Sequence, residues 1–366
     1  MREAGLQRRD FLKTIMMAAA AVGLPAGAAA EMATQAVQGK KPSVVWLHFQ
    51  ECTGCTESLL RASHPDIGDL ILDLISLDYH ETLLAASGVQ AEAALKDAMT
   101  QHAGKFILVV EGSVPVKDGG IYCKVGGRTA LEIVKDVSDK AGAIIAIGSC
   151  ASWGGVQSSG PNPTGATGIP EVLKGKTVVT LPGCPANPYN FLGVALQYAT
   201  YGTLPALDEL GRPKFAYSRV IHSDCPRRPH FDAGRFAEKF GDAGHRAGYC
   251  LYKLGCKGPV THANCSLEHF CDVVGAWPIG IGHPCVGCTE KSIAFTVPMF
   301  TTADLPSPTP SSLFPSINPT VSHINPAATG VAGLAGGALL GAGIVASRKI
   351  AEAARASGDS EKPEAK

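Results

Sequence analysis

The chain is short of charge. Asp, Glu, Lys and Arg make up 17% of its 366 residues, and 32 basic side chains offset 32 acidic ones, for a formal net charge of +0 at pH 7. A balance of this kind builds no basic surface for phosphates, so nucleic acid is excluded as an expected partner. Aromatic residues are scarce as well, at 6%. In their place stand 42 glycines and 25 prolines, which imply many tight turns. What is plentiful is cysteine: twelve residues in a chain long enough for two domains and a sizeable core.

The N-terminus bears on what those cysteines do. Arg8-Arg9-Asp10-Phe11-Leu12-Lys13 precede a small-residue apolar segment that ends in Ala28-Ala29-Ala30. A basic start, an apolar middle and an A-x-A end describe an export signal over residues 1–30. The paired arginines, with Phe and Leu following, fit a twin-arginine address, with an ordinary secretory signal as the alternative. In an exported protein an even cysteine count first suggests disulfides. The twin-arginine route carries folded proteins, so thiols can be loaded with metal in the reducing cytoplasm before they meet an oxidising compartment.

From Ser43 to Gly202 apolar runs alternate with helical patterns. Strands are expected at Val44–Phe49, Leu70–Ser76, Phe106–Glu111, Ala143–Gly148 and Thr177–Leu181. Helices are expected from Thr56, over Val89–His102 and Thr129–Lys140, and over Pro188–Thr200. This alternation predicts an α/β domain, a doubly wound parallel sheet of flavodoxin-like type, over residues 43–202. Cys52 and Cys55, in Glu51-Cys-Thr-Gly-Cys55, follow the first strand. Cys150 follows the fourth and Cys184 the fifth. All four therefore lie at the carboxyl ends of parallel strands, where such sheets bind ligands. A C-x2-C pair alone is ambiguous between zinc, a redox disulfide and iron–sulfur. Four converging thiols are the ligand count of a 4Fe–4S cluster or of structural zinc. Zinc usually clips short local loops, whereas these ligands come from three distant ones, which favours 4Fe–4S. Gly148, Gly154, Gly155 and Gly183 would let backbone approach the cluster. Cys123 has no partner at a matching place and reads as a free structural thiol.

After Pro205 the pattern changes, and residues 203–300 read as a smaller, irregular domain. His222-x2-Cys225 and Cys250-x5-Cys256 supply one imidazole and three sulfurs. Replacing a thiolate by neutral imidazole raises a cluster's potential. Cys265, Cys285 and Cys288 make a three-ligand set, with Cys271 as a candidate fourth sulfur, Pro278 between, and His283-Pro284 beside it. Little helix or strand pattern is visible between Leu254 and Cys288, which suits a region organised by metal. A disulfide-stapled loop region is the alternative.

Taken in order, Glu51-Cys-Thr-Gly-Cys55, Gly148-Ser-Cys150, Pro182-Gly-Cys184-Pro, His222-x2-Cys225, Leu251-Tyr-Lys-Leu-Gly-Cys256-Lys-Gly-Pro and Gly282-His-Pro-Cys285-x2-Cys288 resemble the small subunit of nickel–iron hydrogenases. The resemblance runs from about Pro42 to Thr289. With the leader and the tail, it points to the periplasmic, membrane-anchored, hydrogenase-2 type. It implies an electron-transfer subunit with three clusters. Cys52, Cys55, Cys150 and Cys184 match the ligands of a proximal 4Fe–4S cluster. Cys265, Cys285 and Cys288 match those of a medial 3Fe–4S cluster, with Pro278 near the place of a fourth thiol. His222, Cys225, Cys250 and Cys256 match those of a distal 4Fe–4S cluster. Hydrogen would be activated at a nickel–iron centre on a separate large subunit, and Glu51 matches a glutamate assigned to proton exit, with an ordinary turn carboxylate as the alternative. Gly54 and Gly155 stand where oxygen-tolerant relatives carry extra cysteines, which implies an oxygen-sensitive enzyme. Cys271 is absent from many members and bears on whether the medial cluster is 3Fe–4S.

Residues 301–326 read as a Pro-rich linker. Residues 327–347 form a charge-free run long enough to cross a bilayer as a helix, with Gly333, Gly337 and Gly341 at helix-packing spacing. A flexible Gly/Ala tail is the alternative. Arg348, Lys349 and Arg355 place the tail 348–366 in the cytoplasm and the clusters on the periplasmic face. His323 reads as a linker residue. The expected partners are the large subunit and an integral membrane quinone-reactive subunit, with a ferredoxin-like electron-transfer subunit as a further candidate. Two other classes compete with this assignment: the iron–sulfur subunit of a related quinone-linked complex, and an exported disulfide-stapled binding protein.

Overall fold

Five strands form one parallel sheet: β1 Ser43–His48, β2 Ser76–His80, β3 Ile107–Glu111, β4 Ala143–Ile147 and β5 Val179–Leu181, in the order β2-β1-β3-β4-β5. This computed structural model describes residues 41–63 and 65–302, with positions 347 and 349 besides. Strands β1, β3 and β4 are buried along their whole length, which explains why they read as continuous apolar runs rather than alternating ones. Successive side chains still divide between two faces. Val44, Trp46, Ile107, Val109, Ile145 and Ile147 enter one core, and Val45, Leu47, Leu108, Val110, Ile144 and Ala146 enter the other.

Helices cover both faces. Leu59 of α1 (Gly54–Leu60) lies in the first core, with Phe191, Leu192 and Val194 of the last helix in this part of the chain. Leu95 and Met99 of α2 (Val89–Gln101) and Ile133, Val134 and Val137 of α3 (Ala130–Ser138) lie in the second. Strand order 2-1-3-4-5 with helices on both sides is the doubly wound arrangement, whose ligand crevice opens at the carboxyl ends of the strands. A short helix, α4 (Gly148–Trp153), follows β4 directly, and α5 (Pro188–Tyr201) follows β5. Asn187 caps α5 by accepting from Tyr189 N, and Gly202 ends it at φ 66.

The first core does not stop at residue 202. Tyr217, Ile221, Leu251, Leu254, Trp277 and Ile279 belong to it. Between Leu254 and Cys288 the described backbone holds only short 3-10 turns, such as Gly258–Val260 and Phe270–Asp272.

One expected strand is corrected. Leu70–Leu74 is a π-helical turn after the short helix Ile67–Asp69, and the strand begins only at Ser76. Leu70 and Leu74 are buried while Leu72 is 65% exposed. A strand would place 70, 72 and 74 on one face; a helical turn brings 70 and 74 together and turns 72 to solvent. The first helix also begins at Gly54 rather than Thr56, so Cys55 lies in its first turn. The expected signal peptide, nearly all of the linker, and the 327–347 span with its tail lie outside the described residues. Among the described residues no helix is long and apolar enough to cross a membrane.

Helix α3 opens on a reciprocal cap: Thr129 Oγ1 accepts from Glu132 N at 3.2 Å, and the Glu132 carboxylate accepts from Thr129 N at 2.8 Å. Thr129→Ala is expected to lower the stability of the full chain by about 1 kcal/mol, read as a shifted denaturant midpoint, with Thr129→Ser restoring most of the loss.

Candidate metal centres

The crevice at the strand ends holds the first group of thiols. Cys52 and Cys55 leave β1 through a turn in which Thr53 adopts φ 60; Cys150 lies within α4; Cys184 follows β5. The turn is fixed from beneath by Glu111, the last residue of β3, which is 2% exposed. Its carboxylate accepts from Cys55 N at 3.0 Å, from Thr56 N at 3.2 Å, from Thr56 Oγ1 at 2.6 Å and from Trp46 Nε1 at 3.2 Å. A carboxylate at this place satisfies the otherwise unpaired N–H groups of the first turn of α1 and complements the helix dipole. Reading the sequence alone missed Glu111; its signal was a single carboxylate ending an otherwise apolar strand.

Burial and neighbouring sulfurs raise three of the four thiols. Burial raises the Cys55 thiol well above its usual value, Glu111 adds to this, and Cys150 and Cys184 contribute further. Cys150 is pushed up to about 11, first by burial and then by Cys184. Burial and then Cys52 raise Cys184. Glycines crowd these sulfurs. A Cβ on Gly148, whose φ is +82, would lie 2.5 Å from Cys55 Sγ, and one on Gly155 would lie 2.5 Å from Cys150 Sγ. On Gly54 it would lie 3.1 Å from Cys52 Sγ.

Glu51 stands beside this group. Its Oε1 lies 3.3 Å from His48 Nδ1 and accepts from Thr53 Oγ1 at 3.2 Å, while its Oε2 is buried without a partner among the described residues. His48 in turn lies 3.9 Å from Glu111, and its ring is 4.6 Å from that of His80. Burial, with the nearby His48, pushes His80 down to about 3.

A second group surrounds an apolar cavity of about 60 Å³ lined by Cys265, Cys285 and Cys288, with Cys184 of the first group, Pro278 and Tyr217. Burial, then Cys265, then Cys184 push Cys288 up to about 12. Burial and Cys285 push Cys265 up to about 12. Burial also raises Cys285, with Cys256 and Cys288 adding to it. Ser149 ties the two groups together, donating to Cys288 O at 2.6 Å and accepting from Gly183 N at 3.1 Å. Cys271 has its backbone in the Phe270–Asp272 turn, and its side chain lies outside the described residues.

A third group lines a separate small cavity: His222, Cys225, Cys250 and Cys256, with Arg227 and Ile279. Burial pushes Cys225 up to about 11 and Cys250 up to about 12, and it raises Cys256. His222 Nε2 is buried without a partner among the described residues. Burial first and then Arg228 push this imidazole down to about 4, against the opposite pull of Asp232. His222 is therefore neutral at pH 7, the form that binds a metal. Cys285 N donates to Cys256 Sγ at 3.4 Å, which joins the third group to the second.

The sulfurs matched to three ligand sets by the resemblance lie in three groups that adjoin one another through Cys184 and the Cys285–Cys256 contact, with the Cys271 side chain outside the described residues. None of the eleven described cysteines is in a disulfide. Cys123 is half-buried against the second core, apart from these groups, and burial and then Glu81 raise its thiol. Structural zinc needs four ligands about 2.0–2.3 Å from one ion. In an iron–sulfur cluster each thiolate binds a different iron, so its ligands stand further apart. Thiols gathered from distant loops, glycines whose Cβ would strike cysteine sulfurs, and a buried imidazole nitrogen without a described partner fit such clusters.

Comparison with known proteins first defines a class and then a family. Residues 52–198 match the family model of the NADH ubiquinone oxidoreductase 20 kDa subunit, and residues 217–301 match that of the C-terminal part of the NiFe/NiFeSe hydrogenase small subunit. The chain is 50% identical to the hydrogenase-2 small chain of Escherichia coli K12 over 347 residues, 94% of this chain and 93% of that protein. It is 49% identical to periplasmic [NiFe] hydrogenase small subunit 1 of Nitratidesulfovibrio vulgaris over 288 residues, 78% of this chain and 90% of that one. Among solved structures, the [NiFeSe] hydrogenase of Desulfovibrio vulgaris Hildenborough superposes with a TM-score of 0.66 at 33% identity, covering 72% of this chain and 98% of that one. The chain belongs to the nickel–iron hydrogenase small-subunit family. It is accordingly the electron-transferring subunit of a hydrogenase heterodimer whose catalytic site is on the large subunit.

Gly148→Ala is expected to drive a methyl group into Cys55 Sγ at a left-handed backbone position and to lower the iron content of the chain. Gly202→Ala, where φ is 66 and a Cβ would meet nothing within 4 Å, should leave iron content unchanged. Equal iron in both variants and the parent would contradict the tight fit around Cys55.

Proposed function

We propose that this subunit holds three iron–sulfur clusters and relays electrons from H2 oxidation to a membrane-bound acceptor and ultimately to quinone. In this reading Cys52, Cys55, Cys150 and Cys184 hold a proximal 4Fe–4S cluster, and Cys265, Cys285 and Cys288 a medial 3Fe–4S cluster. His222, Cys225, Cys250 and Cys256 hold a distal 4Fe–4S cluster. The observation that carries it is the continuity of the ligand groups: Cys184 borders the cavity of the second group, and the Cys285 backbone N–H donates to Cys256 Sγ of the third. Such clusters supply one-electron transfer over a wide range of potentials.

The protein's own part is to exclude water, space the groups and set their charge. Buried Cys285 and half-buried Cys265 and Cys288 surround a mostly apolar cavity, a medium that favours clusters of low net charge. Neutral His222 in the third group lowers the charge there. Glu51, with one carboxylate oxygen bonded and the other buried without a described partner, is suited to passing protons between His48 and the surface that meets the large partner. Gly54 and Gly155 press against proximal sulfurs and offer no further thiol, which supports an ordinary, oxygen-sensitive proximal cluster.

The domains follow the same reading: a flavodoxin-like domain over 43–202, a cluster domain over 203–300, and a linker and membrane helix beyond. Similarity to the Escherichia coli relative over 94% of the chain, against 78% for the periplasmic Nitratidesulfovibrio relative, supports shared end segments in addition to the two cluster-bearing parts. Twin-arginine export, a periplasmic position and an integral membrane partner complete it, with a ferredoxin-like subunit as a further component.

One substitution in each group tests the assignment in the intact heterodimer. Cys55→Ala, Cys288→Ala and His222→Ala should each remove or alter the spectroscopic signature of one cluster and leave the other two. A variant set in which all three signatures fall together, or none does, would overturn the three-site assignment. Truncation after Thr302 should release the hydrogenase from the membrane into the periplasmic fraction; retention on the membrane would contradict the anchor.

A further inference from the structure

Lys257 is 0% exposed, a rare position for a lysine. It directly follows Cys256 of the third group, and its backbone N–H donates to Cys285 O of the second at 2.8 Å. The three N–H groups of the ammonium are shared among four backbone carbonyls: Met299 O at 2.7 Å, Pro298 O and Thr301 O at 3.2 Å, and Gly255 O at 3.4 Å. Carbonyls satisfy its N–H groups but do not neutralise its charge. Three of them belong to the segment 298–301, which lies pressed on the ligand loop: a Cβ on Gly255, whose φ is +86, would lie 2.4 Å from Phe300 C. The segment and the lysine therefore form one unit at the junction of the second and third groups.

A buried ammonium is costly unless opposite charge compensates it. The thiolate-ligated clusters of the second and third groups are anionic bodies of that kind, and Lys257 adjoins both, following Cys256 directly and bonded through its N–H to Cys285 O. We propose that Lys257 is a potential-setting residue: a fixed positive charge held between the medial and distal clusters by the carbonyls of the 298–301 segment, which raises the reduction potential of both. Adding an electron to either cluster increases its negative charge, and a cation held nearby in a medium of low dielectric favours that form. The inference rests on the cluster assignment above and adds to it a residue that ligates nothing.

The test is an EPR-monitored redox titration of the intact heterodimer carrying Lys257→Met, Lys257→Gln or Lys257→Arg. In the two neutral variants reduction of the medial cluster is expected to be at least tenfold less favourable, a shift of about 59 mV to lower potential for one electron. The distal cluster should move the same way, the proximal cluster should stay in place, and Lys257→Arg should titrate like the parent. Unchanged medial and distal potentials in the fully loaded neutral variants overturn the proposal, as does an equal shift of all three clusters. Loss of the medial or distal cluster in both neutral variants makes the role structural and overturns it as well. A parent heterodimer without clusters is a different failure, since it removes the relay assignment and this inference with it.

Discussion

The structure depends on gathering sulfur at sites largely shielded from water, with Cys52 and Cys184 at the exposed edge. In each of the three groups burial is the leading cause of the raised thiols, and the neighbouring sulfurs add their repulsion. A thiol in such a place neither ionises nor is easily replaced, and only a cation makes its thiolate stable. On the proposed cluster assignment, the irregular region beyond residue 205 does without long helices and strands because ligand binding would supply folding energy that a larger core would otherwise provide. The first core reaches into this region through Tyr217, Leu251 and Trp277, so the sheet and the ligand groups are held as one packed body.

A sheet of this topology suits the task because its loops at one edge come together from distant parts of the chain. Cys52, Cys150 and Cys184 are about 100 and 30 residues apart in sequence, and parallel pairing alone brings them to one crevice. Glu111 holds the first loop from inside the sheet, and Ser149 joins the strand-end loops to Cys288. The same loops thus position two groups.

Much of this was legible in the sequence. β1, β3 and β4 announced themselves as unbroken apolar runs, and cysteines directly after strands fell at the strand ends where sheets bind ligands. Leu70–Leu74 misled because a short apolar run has no period of its own; only the exposure of Leu72 decides that it is a helical turn. Glu111 and Lys257 were not legible for a different reason. The partners of Glu111 lie 55 to 65 residues away, and most of those of Lys257 lie 41 to 44 residues away, so neither residue forms a local pattern. The fold showed through local periodicity and the ligands through spacing, while the groups that hold and tune them emerge only from long-range contacts.

The central claim is that these sulfurs hold three clusters of two kinds. Iron and nickel analysis, together with EPR of the oxidised complex purified natively from membranes, tests it most directly. The account predicts about eleven irons on this chain, a 3Fe–4S signal, and nickel on the partner. About twelve irons without that signal would contradict the medial assignment and make Cys271 a fourth ligand; a preparation with neither iron nor a nickel partner would contradict the relay altogether.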